Sequence, residues 1–97
     1  MAPNKSDSSN IIASLQAYPN PFNDRLRIDY YFLNEGFVSI KIYSTMGKEV
    51  ETIYEGNEVP GAKSYEFLSG DLPAGVYVIK AIDFDGNFQV KRVIMQR

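Results

Sequence analysis

The side chains of this chain that could carry chemistry are its carboxylates, hydroxyls and tyrosines, because its 97 residues include no histidine and no cysteine. Histidine is the usual general base and the commonest metal ligand, and cysteine thiolates are nucleophiles and metal ligands as well. Without either residue, a serine or threonine hydroxyl lacks the usual partner that activates it. We therefore expect a chain that is not an enzyme and that needs no cofactor.

Two acidic clusters have spacings that could serve a reaction or a metal. Glu49 and Glu51 lie two residues apart, so in a strand they share a face, as the paired carboxyl groups of a glycosidase might. Two carboxylates on one solvated strand, however, more often keep a sheet edge soluble. Asp83–Asn87 (Asp-Phe-Asp-Gly-Asn) resembles part of a calcium loop but lacks the further acidic ligands and the closing glutamate. We predict neither a catalytic pair nor a metal site.

The aromatic side chains allow one further kind of site, a platform on which a sugar ring stacks. Tyr31, Tyr43 and Tyr54 are the candidates among seven tyrosines. Tyrosine on small sheets more often packs across strands at the rim of the core. A carbohydrate-binding or spacer β-sandwich module of a secreted hydrolase is therefore the alternative function.

Size and charge limit the class of protein. A chain of this length forms one domain that buries roughly 60–65% of its unfolded surface. The net charge is −2, with cations and acids interspersed, which argues against a nucleic-acid partner. No apolar run approaches the ~18 residues of a membrane span, and the first residues lack the apolar region of a signal peptide. Residues 1–10 are polar and contain three serines; we interpret them as a disordered linker or an expression remnant, followed by a domain over residues 11–97.

The elements that must position these side chains are strands. Apolar and polar residues alternate with a period of two, and no window has a helical period. Short strands at intervals of roughly 8–12 residues predict an all-β, antiparallel, immunoglobulin-like β-sandwich of about seven strands. Residues 55–61 are polar and are predicted as a loop. Ile11–Leu15 is predicted as a short strand or a docked linker. The other predicted strands are Arg25–Phe32, Phe37–Tyr43, Glu49–Tyr54, Ala62–Leu68, Val76–Ile82 and Phe88–Met95.

The last two strands form a predicted hairpin around Asp85-Gly86. A two-residue turn would set Lys80 opposite Lys91, and opposed like charges are unfavourable. A three-residue loop with Gly86 at positive φ sets Lys80 opposite Val90 instead, and we predict this register. A strand that runs almost to the end of the chain suggests that either the core or a partner needs an ordered terminus.

Tyr18–Phe22 (Tyr-Pro-Asn-Pro-Phe) precedes the first long strand. Its two prolines fix φ and remove two backbone donors, so this segment cannot be a central strand. We predict a rigid loop in which Tyr18 and Phe22 both anchor to the core, with a recognition surface as the alternative.

Four motifs of this chain, taken in order, resemble the type A C-terminal sorting domains of the type IX (Por) secretion system. They are Tyr18–Phe22, Ile42-Tyr43-Ser44-Thr45-Met46-Gly47-Lys48-Glu49-Val50, Leu72-Pro73-Ala74-Gly75-Val76-Tyr77 and Lys91-Arg92-Val93-Ile94-Met95. Ser44 departs from the family, which often has Asp or Asn there, so the geometry of that loop is in question. The resemblance marks as recognition or motif residues Tyr18, Pro19, Asn20, Pro21, Phe22, Gly47, Gly75, Tyr77, Lys91, Arg92 and Arg97.

The resemblance implies a non-catalytic, folded export signal at the C-terminus of a secreted precursor. Such domains follow a cargo domain, pass through the periplasm, and are carried across the outer membrane by the type IX translocon and outer-membrane shuttle proteins. A surface cysteine peptidase then usually removes them, and the cargo stays on the cell surface or is released. The cut is expected in or near Asp7–Ser14, and the domain is expected to be a monomer.

A partner that recognises the last strand has three means of doing so: strand addition at its edge, its side chains, or the free carboxylate. Lys91, Arg92 and Arg97 give this end a local positive charge. The competing interpretation is that these cations only keep an edge strand soluble.

Overall fold

Seven strands arise where apolar and polar side chains alternate. The structure, a computed structural model, describes residues 12–97, and within them it contains no helix, so none that could cross a membrane. The all-β prediction is confirmed. The predicted linker over residues 1–10, and Ile11, lie outside the described residues. The strands are β1 (Ile12–Tyr18), β2 (Arg25–Phe32), β3 (Gly36–Ser44), β4 (Glu49–Glu58), β5 (Gly61–Leu68), β6 (Gly75–Asp83) and β7 (Phe88–Met95).

The strands form two antiparallel sheets, one of three strands in the order β1-β2-β5 and one of four in the order β4-β3-β6-β7. The constant-type immunoglobulin sandwich groups its strands as ABED and CFG. Here the fourth strand lies beside the third strand instead of beside the fifth. The predicted antiparallel sandwich of about seven strands is confirmed, and its arrangement is compatible with an immunoglobulin-like fold.

The core fills the space between the inner faces of the two sheets. Burying a large apolar side chain in this core contributes about 1.5–3 kcal/mol to the stability of the fold, and this burial holds the two sheets together. On β2 and β3 the inward positions are those that the alternation predicts. The buried apolar side chains are Leu15, Phe22, Leu26, Ile28, Tyr30, Phe32, Val38, Ile40, Ile42, Ile53, Phe67, Tyr77, Ile79, Ala81, Val93 and Met95.

Strand β4 is longer than predicted. The polar residues 55–58 continue the strand, and only Val59 and Pro60 separate it from β5. The loop prediction was wrong because an edge strand is held by backbone pairing, which polar side chains do not prevent: Gly36–Ser39 of β3 pairs with this part of β4. The Tyr54 hydroxyl also donates a hydrogen bond to the Asn57 carbonyl at 2.6 Å.

The register of the terminal hairpin is as predicted. Lys80 lies opposite Val90, and Gly86 has a φ of +90°. Asp83 is buried and closes the loop, because its Oδ1 accepts the backbone N–H groups of Asp85 and Asn87 at 2.9 and 3.0 Å. Hairpin geometry therefore explains this acidic loop without a calcium ion.

Candidate recognition surface at the terminal strand

The four motifs meet at one end of the sandwich, which we call the motif end. Ser44, at the end of β3, pairs with Tyr77 on β6. Gly75, at the start of β6, pairs with Met95 near the end of β7, and Phe22 forms a parallel bridge with Met95. Residues scattered along the chain thus meet at this end: Tyr18–Phe22 and β6 lie on the two sides of the last strand, and β3 lies beyond β6.

Tyr18–Phe22 fastens β7 on the side that faces away from β6. The Asn20 side chain makes two hydrogen bonds to the β7 backbone: its Nδ2 donates to the Arg92 carbonyl at 3.1 Å, and its Oδ1 accepts from the Ile94 N–H at 2.9 Å. The Phe22 N–H donates to the Ile94 carbonyl at 2.9 Å, and the Gln96 N–H donates to the Phe22 carbonyl at 2.7 Å. The segment therefore acts as a short extra strand that covers the last part of the β7 edge.

The two aromatic residues of this segment have different roles. Phe22 is 3% exposed and packs edge-on against Phe67, as the anchoring prediction requires. The prediction for Tyr18 was wrong, since Tyr18 is 45% exposed. Its hydroxyl donates to the Asp29 carboxylate, and its ring lies 5.9 Å from the Arg27 guanidinium carbon. A polar partner on the outer face of β2 thus draws the ring away from the core.

Asp29 gathers a polar cluster on that outer face. Its carboxylate accepts hydrogen bonds from Tyr18, from Arg27 Nε at 2.8 Å and from Ser64 Oγ at 2.7 Å. These three donors, the Tyr18 hydroxyl first, lower the pKa of Asp29 to about 2. The cluster joins β1, β2 and β5 and so supports the point where the chain leaves β1 for Pro19 and Pro21. Sequence reasoning missed Asp29, because a lone acid in an alternating strand looks like any solvated residue.

Pro19 and Pro21 flank Asn20 in this segment. The Tyr18–Pro19 and Asn20–Pro21 peptide bonds are both cis, and both prolines are exposed. Neither proline has an N–H to donate, and the hydrogen bonds seen between this segment and β7 are those of Asn20 and Phe22. This agrees with the prediction that it is not a central strand.

The β3–β4 loop keeps its geometry despite the Ser44 departure. The Ser44 N–H donates to the Lys48 carbonyl at 2.8 Å, and the Gly47 N–H donates to the Ser44 carbonyl at 2.9 Å. The Ser44 Oγ accepts from the N–H groups of Met46 and Lys48, both at 3.3 Å. Gly47 has a φ of +85°, the conformation that favours glycine. The Ser44 hydroxyl thus closes this loop in the present chain.

The Leu72–Tyr77 motif ties the end of the chain to the sandwich. Tyr77 is buried, and its hydroxyl donates to the Pro73 carbonyl at 2.5 Å. The Arg97 guanidinium donates to the Gly70 carbonyl at 2.8 Å and also to the Leu72 carbonyl. Arg97 therefore fastens the terminus to the loop before β6.

Lys91 and Arg92 are exposed on β7. Neither side chain forms an ion pair with any residue in the part of the chain that the structure describes. The apolar run that follows is only partly core, since Val93 and Met95 are buried but Ile94 is 42% exposed. Side chains alternate between the two faces of a strand, so Ile94 lies on the outer face. The sequence does not indicate this, because a run of three apolar residues does not show which side chains point inward.

The other sites weighed from the sequence do not assemble. The Lys41 ammonium lies 3.2 Å from the Glu49 carboxylate, whereas Glu51 accepts a hydrogen bond from Tyr65 of the opposite sheet. Among residues 12–97, no group of three or more acidic, histidine or cysteine side chains could hold a metal ion.

The three candidate tyrosines for sugar stacking are not together. Tyr31 lies on the three-stranded sheet, while Tyr43 and Tyr54 lie on the four-stranded sheet, where Tyr54 packs against the core. A stacking face needs adjacent exposed rings, and these rings do not supply one.

Fold and site together define a small β-sandwich module whose distinctive residues fasten its own C-terminal strand. Residues 16–96 match the family described as "Secretion system C-terminal sorting domain". Because this match covers most of the chain, the chain belongs to the type IX secretion C-terminal sorting domain family, which confirms the resemblance. A sorting signal of this kind implies a secreted or cell-surface protein.

Solved structures add a likeness of fold. A β-glucosidase from Erythrobacter marinus is 18% identical over 88% of this chain, with a TM-score of 0.60. A β-glucosidase from Listeria innocua, solved in complex with glucose, is 10% identical over 87% of this chain, with a TM-score of 0.54. The chain spans only 15% and 16% of the lengths of these two enzymes. No curated protein matches the sequence significantly.

Proposed function

We propose that this domain is the non-catalytic, folded export signal of a longer precursor and that its last strand is the part that the secretion machinery recognises. The observation that carries the proposal is that two family motifs, Tyr18–Phe22 and Leu72–Tyr77, hold the β7 motif from its two sides, while Ile42–Val50 lies at the same end of the sandwich and pairs with β6. Asn20 and Phe22 hold one side of β7, β6 holds the other, and Arg97 fixes the end. A partner that recognises this strand would find it held in one conformation.

In this proposal the domain travels through the periplasm behind a cargo domain and meets the type IX translocon and its outer-membrane shuttle proteins. A surface cysteine peptidase then cuts in or near Asp7–Ser14, and the cargo is attached to anionic lipopolysaccharide or released. The strand order supports this arrangement: β1 starts beside the end of β2, at the opposite end of the sandwich from the four motifs. A cargo domain joined there would leave the motif end uncovered.

The test is export of a foreign cargo. A fluorescent protein is placed behind an inner-membrane signal peptide and ahead of all 97 residues, and it is produced in type IX-competent cells. We expect fluorescence on the cell surface or in the medium, whereas the same cargo without the domain stays in the periplasm. Retention of the complete fusion in the periplasm, with the domain folded, would contradict the proposal.

The intact mass of the exported cargo tests the cleavage step separately. We expect a cargo that ends within residues 7–14. An exported cargo that carries the whole domain would show that the domain is a signal but not a substrate of the peptidase.

A further inference from the structure

Strand β7 has one stretch of backbone edge that remains open. β7 is an edge strand, and Asn20 and Phe22 bond to the Arg92 carbonyl and to both backbone groups of Ile94. In an antiparallel pair, alternate residues direct their N–H and C=O groups to the same side. Phe88 and Val90 therefore direct theirs outward as well. Within the described part of the chain, only β6 pairs with β7 at these residues.

This open edge, which consists of the outward backbone groups of Phe88 and Val90 and the Arg92 N–H, carries exposed side chains and is basic. Phe88 is 60% exposed and Val90 is 46% exposed. Lys91 and Arg92 lie beside them with no ion pair to the residues that the structure describes. The Lys80 ammonium, on the neighbouring strand, lies 5.1 Å from the centre of the Phe88 ring. An incoming strand would thus meet unpaired backbone groups flanked by positive charge.

The charges decide which strand fits. If two copies of this domain paired along their open edges, each would bring Lys91 and Arg92 into one short ladder, and like charges on adjacent strands are unfavourable. Lysine on an edge strand is a known means of blocking such self-pairing. An extended segment with Asp or Glu would instead gain charge-assisted hydrogen bonds from the same cations.

We propose that the open edge accepts an extended, acidic segment of a protein of the export machinery, added as a strand beside β7. This inference rests on the proposed function and specifies how the last strand is recognised. The outward groups of Phe88 and Val90 and the Arg92 N–H supply the backbone bonds, and Lys91 and Arg92 select the acidic sequence. Because Tyr18–Phe22 covers the edge beyond Arg92, strand addition ends there.

The backbone part of the proposal is tested with Val90→Pro in the exported fusion. Proline removes the outward N–H of residue 90, and it is tolerated on an edge strand where that N–H faces solvent. The bonds between β6 and β7 come from the alternate residues and remain. We expect about tenfold less cargo outside the cell, the effect of losing about 1.4 kcal/mol of binding, while the purified domain still melts cooperatively.

The charge part is tested with the double variant Lys91→Glu/Arg92→Glu, which should be retained in the periplasm like Val90→Pro. The matched control, Arg25→Glu/Lys63→Glu, makes the same change in net charge on β2 and β5, away from the open edge and outside the four motifs, and should be exported like the parent. A short Gly-Ser extension after Arg97 leaves the open edge unchanged and should also be exported.

The outcomes separate the two proposals. If the parent fusion is not exported, the proposed function fails and this inference fails with it. If the parent is exported and folded Val90→Pro is exported equally well, only the inference is overturned. Retention of the Gly-Ser extension with export of Val90→Pro would assign recognition to the free carboxylate.

The occupant is identified with a photoreactive phenylalanine analogue at position 88 of the exported fusion. We expect crosslinks to an acidic segment of an export protein. Crosslinks to a segment without Asp or Glu would overturn the acidic specificity. A dimer of the purified domain in sedimentation experiments that Val90→Pro dissociates would overturn the choice of occupant in favour of a second copy.

Discussion

At the scale of single residues, Ser44 and Asp83 have the same hydrogen-bonding role, the first with a hydroxyl group and the second with a carboxylate. Each begins a hairpin loop of the same length, with glycine at the same position, and each accepts the N–H groups of the residues two and four further along. The Ser44 Oγ does so at 3.3 Å, whereas the Asp83 carboxylate does so at 2.9 and 3.0 Å. Hydrogen bonds to a charged acceptor are shorter and stronger, so the β3–β4 loop is the weaker of the two.

Ser44→Asp should therefore stabilise the domain. A carboxylate at position 44 would accept the same two N–H groups, and we expect the free energy of unfolding to rise by about 0.5–1.5 kcal/mol. Urea unfolding measures the change. The reciprocal variant Asp83→Ser should lower stability, because Asp83 is buried. A Ser44→Asp protein no more stable than the parent would show that the two loops are not equivalent.

Part of the stability at acid pH depends on the Asp29 carboxylate. Its pKa falls from the ordinary 3.8 to about 2, chiefly because Tyr18 donates to it and then because Arg27 and Ser64 do. A carboxylate with a depressed folded pKa stabilises the fold above its unfolded pKa, and this contribution disappears as the pH falls through the folded pKa. We expect the melting temperature of the parent to fall between pH 4 and pH 2, and the melting temperature of Asp29→Asn to fall less over that interval. Parallel acid profiles of the two proteins would contradict this role.

Gly75 is required for its backbone conformation and not for its small size. Its φ is +149°, and a Cβ placed there would meet no atom within 4 Å. We expect Gly75→Val to cost roughly 1–3 kcal/mol of stability through backbone strain. Gly75→Ala should cost a similar amount, since neither side chain meets a steric obstacle. A large difference between the two melting temperatures would point to crowding instead.

At the scale of elements, the sequence predicts the strands better than their attachments. Alternation identifies β2 and β3, and charge pairing predicts the register that sets Lys80 opposite Val90. The predictions for the anchoring of Tyr18 and for the end of β4 were wrong. A polar partner on another strand decided the position of Tyr18, and backbone pairing decided the length of β4. No local pattern shows that Asn20 bonds to β7, since its partners Arg92 and Ile94 lie 72 and 74 residues further along the chain.

Asn20→Ala should loosen β7 on one side only. The Ile94 N–H loses its acceptor, so its hydrogen exchange should accelerate, whereas the Val93 N–H, which faces β6, should stay protected. Losing both hydrogen bonds of Asn20 should cost about 1–3 kcal/mol of stability. Hydrogen exchange followed residue by residue by NMR measures the protection of the Ile94 and Val93 N–H groups. Asn20→Asp retains the acceptor and should keep Ile94 protected; equal exchange in all three proteins would show that Asn20 does not hold the strand.

At the scale of the whole molecule, the start of β1 and the four motifs lie at opposite ends of the sandwich. At the motif end two of the motifs contact the last strand, one forms part of it, and Ile42–Val50 pairs with β6. The core between these ends is that of an ordinary β-sandwich, and a region of each of the two β-glucosidases has a similar fold. The proposed function of this chain depends on the residues that hold β7.

The most direct measurement is the export of the fluorescent fusion in two otherwise identical strains, one with a type IX translocon and one without it. The account predicts that the cargo reaches the surface or the medium only in the strain with the translocon and that the other strain holds it, folded, in the periplasm. Equal export from both strains, or retention in both, would contradict the assignment of this domain as a type IX export signal.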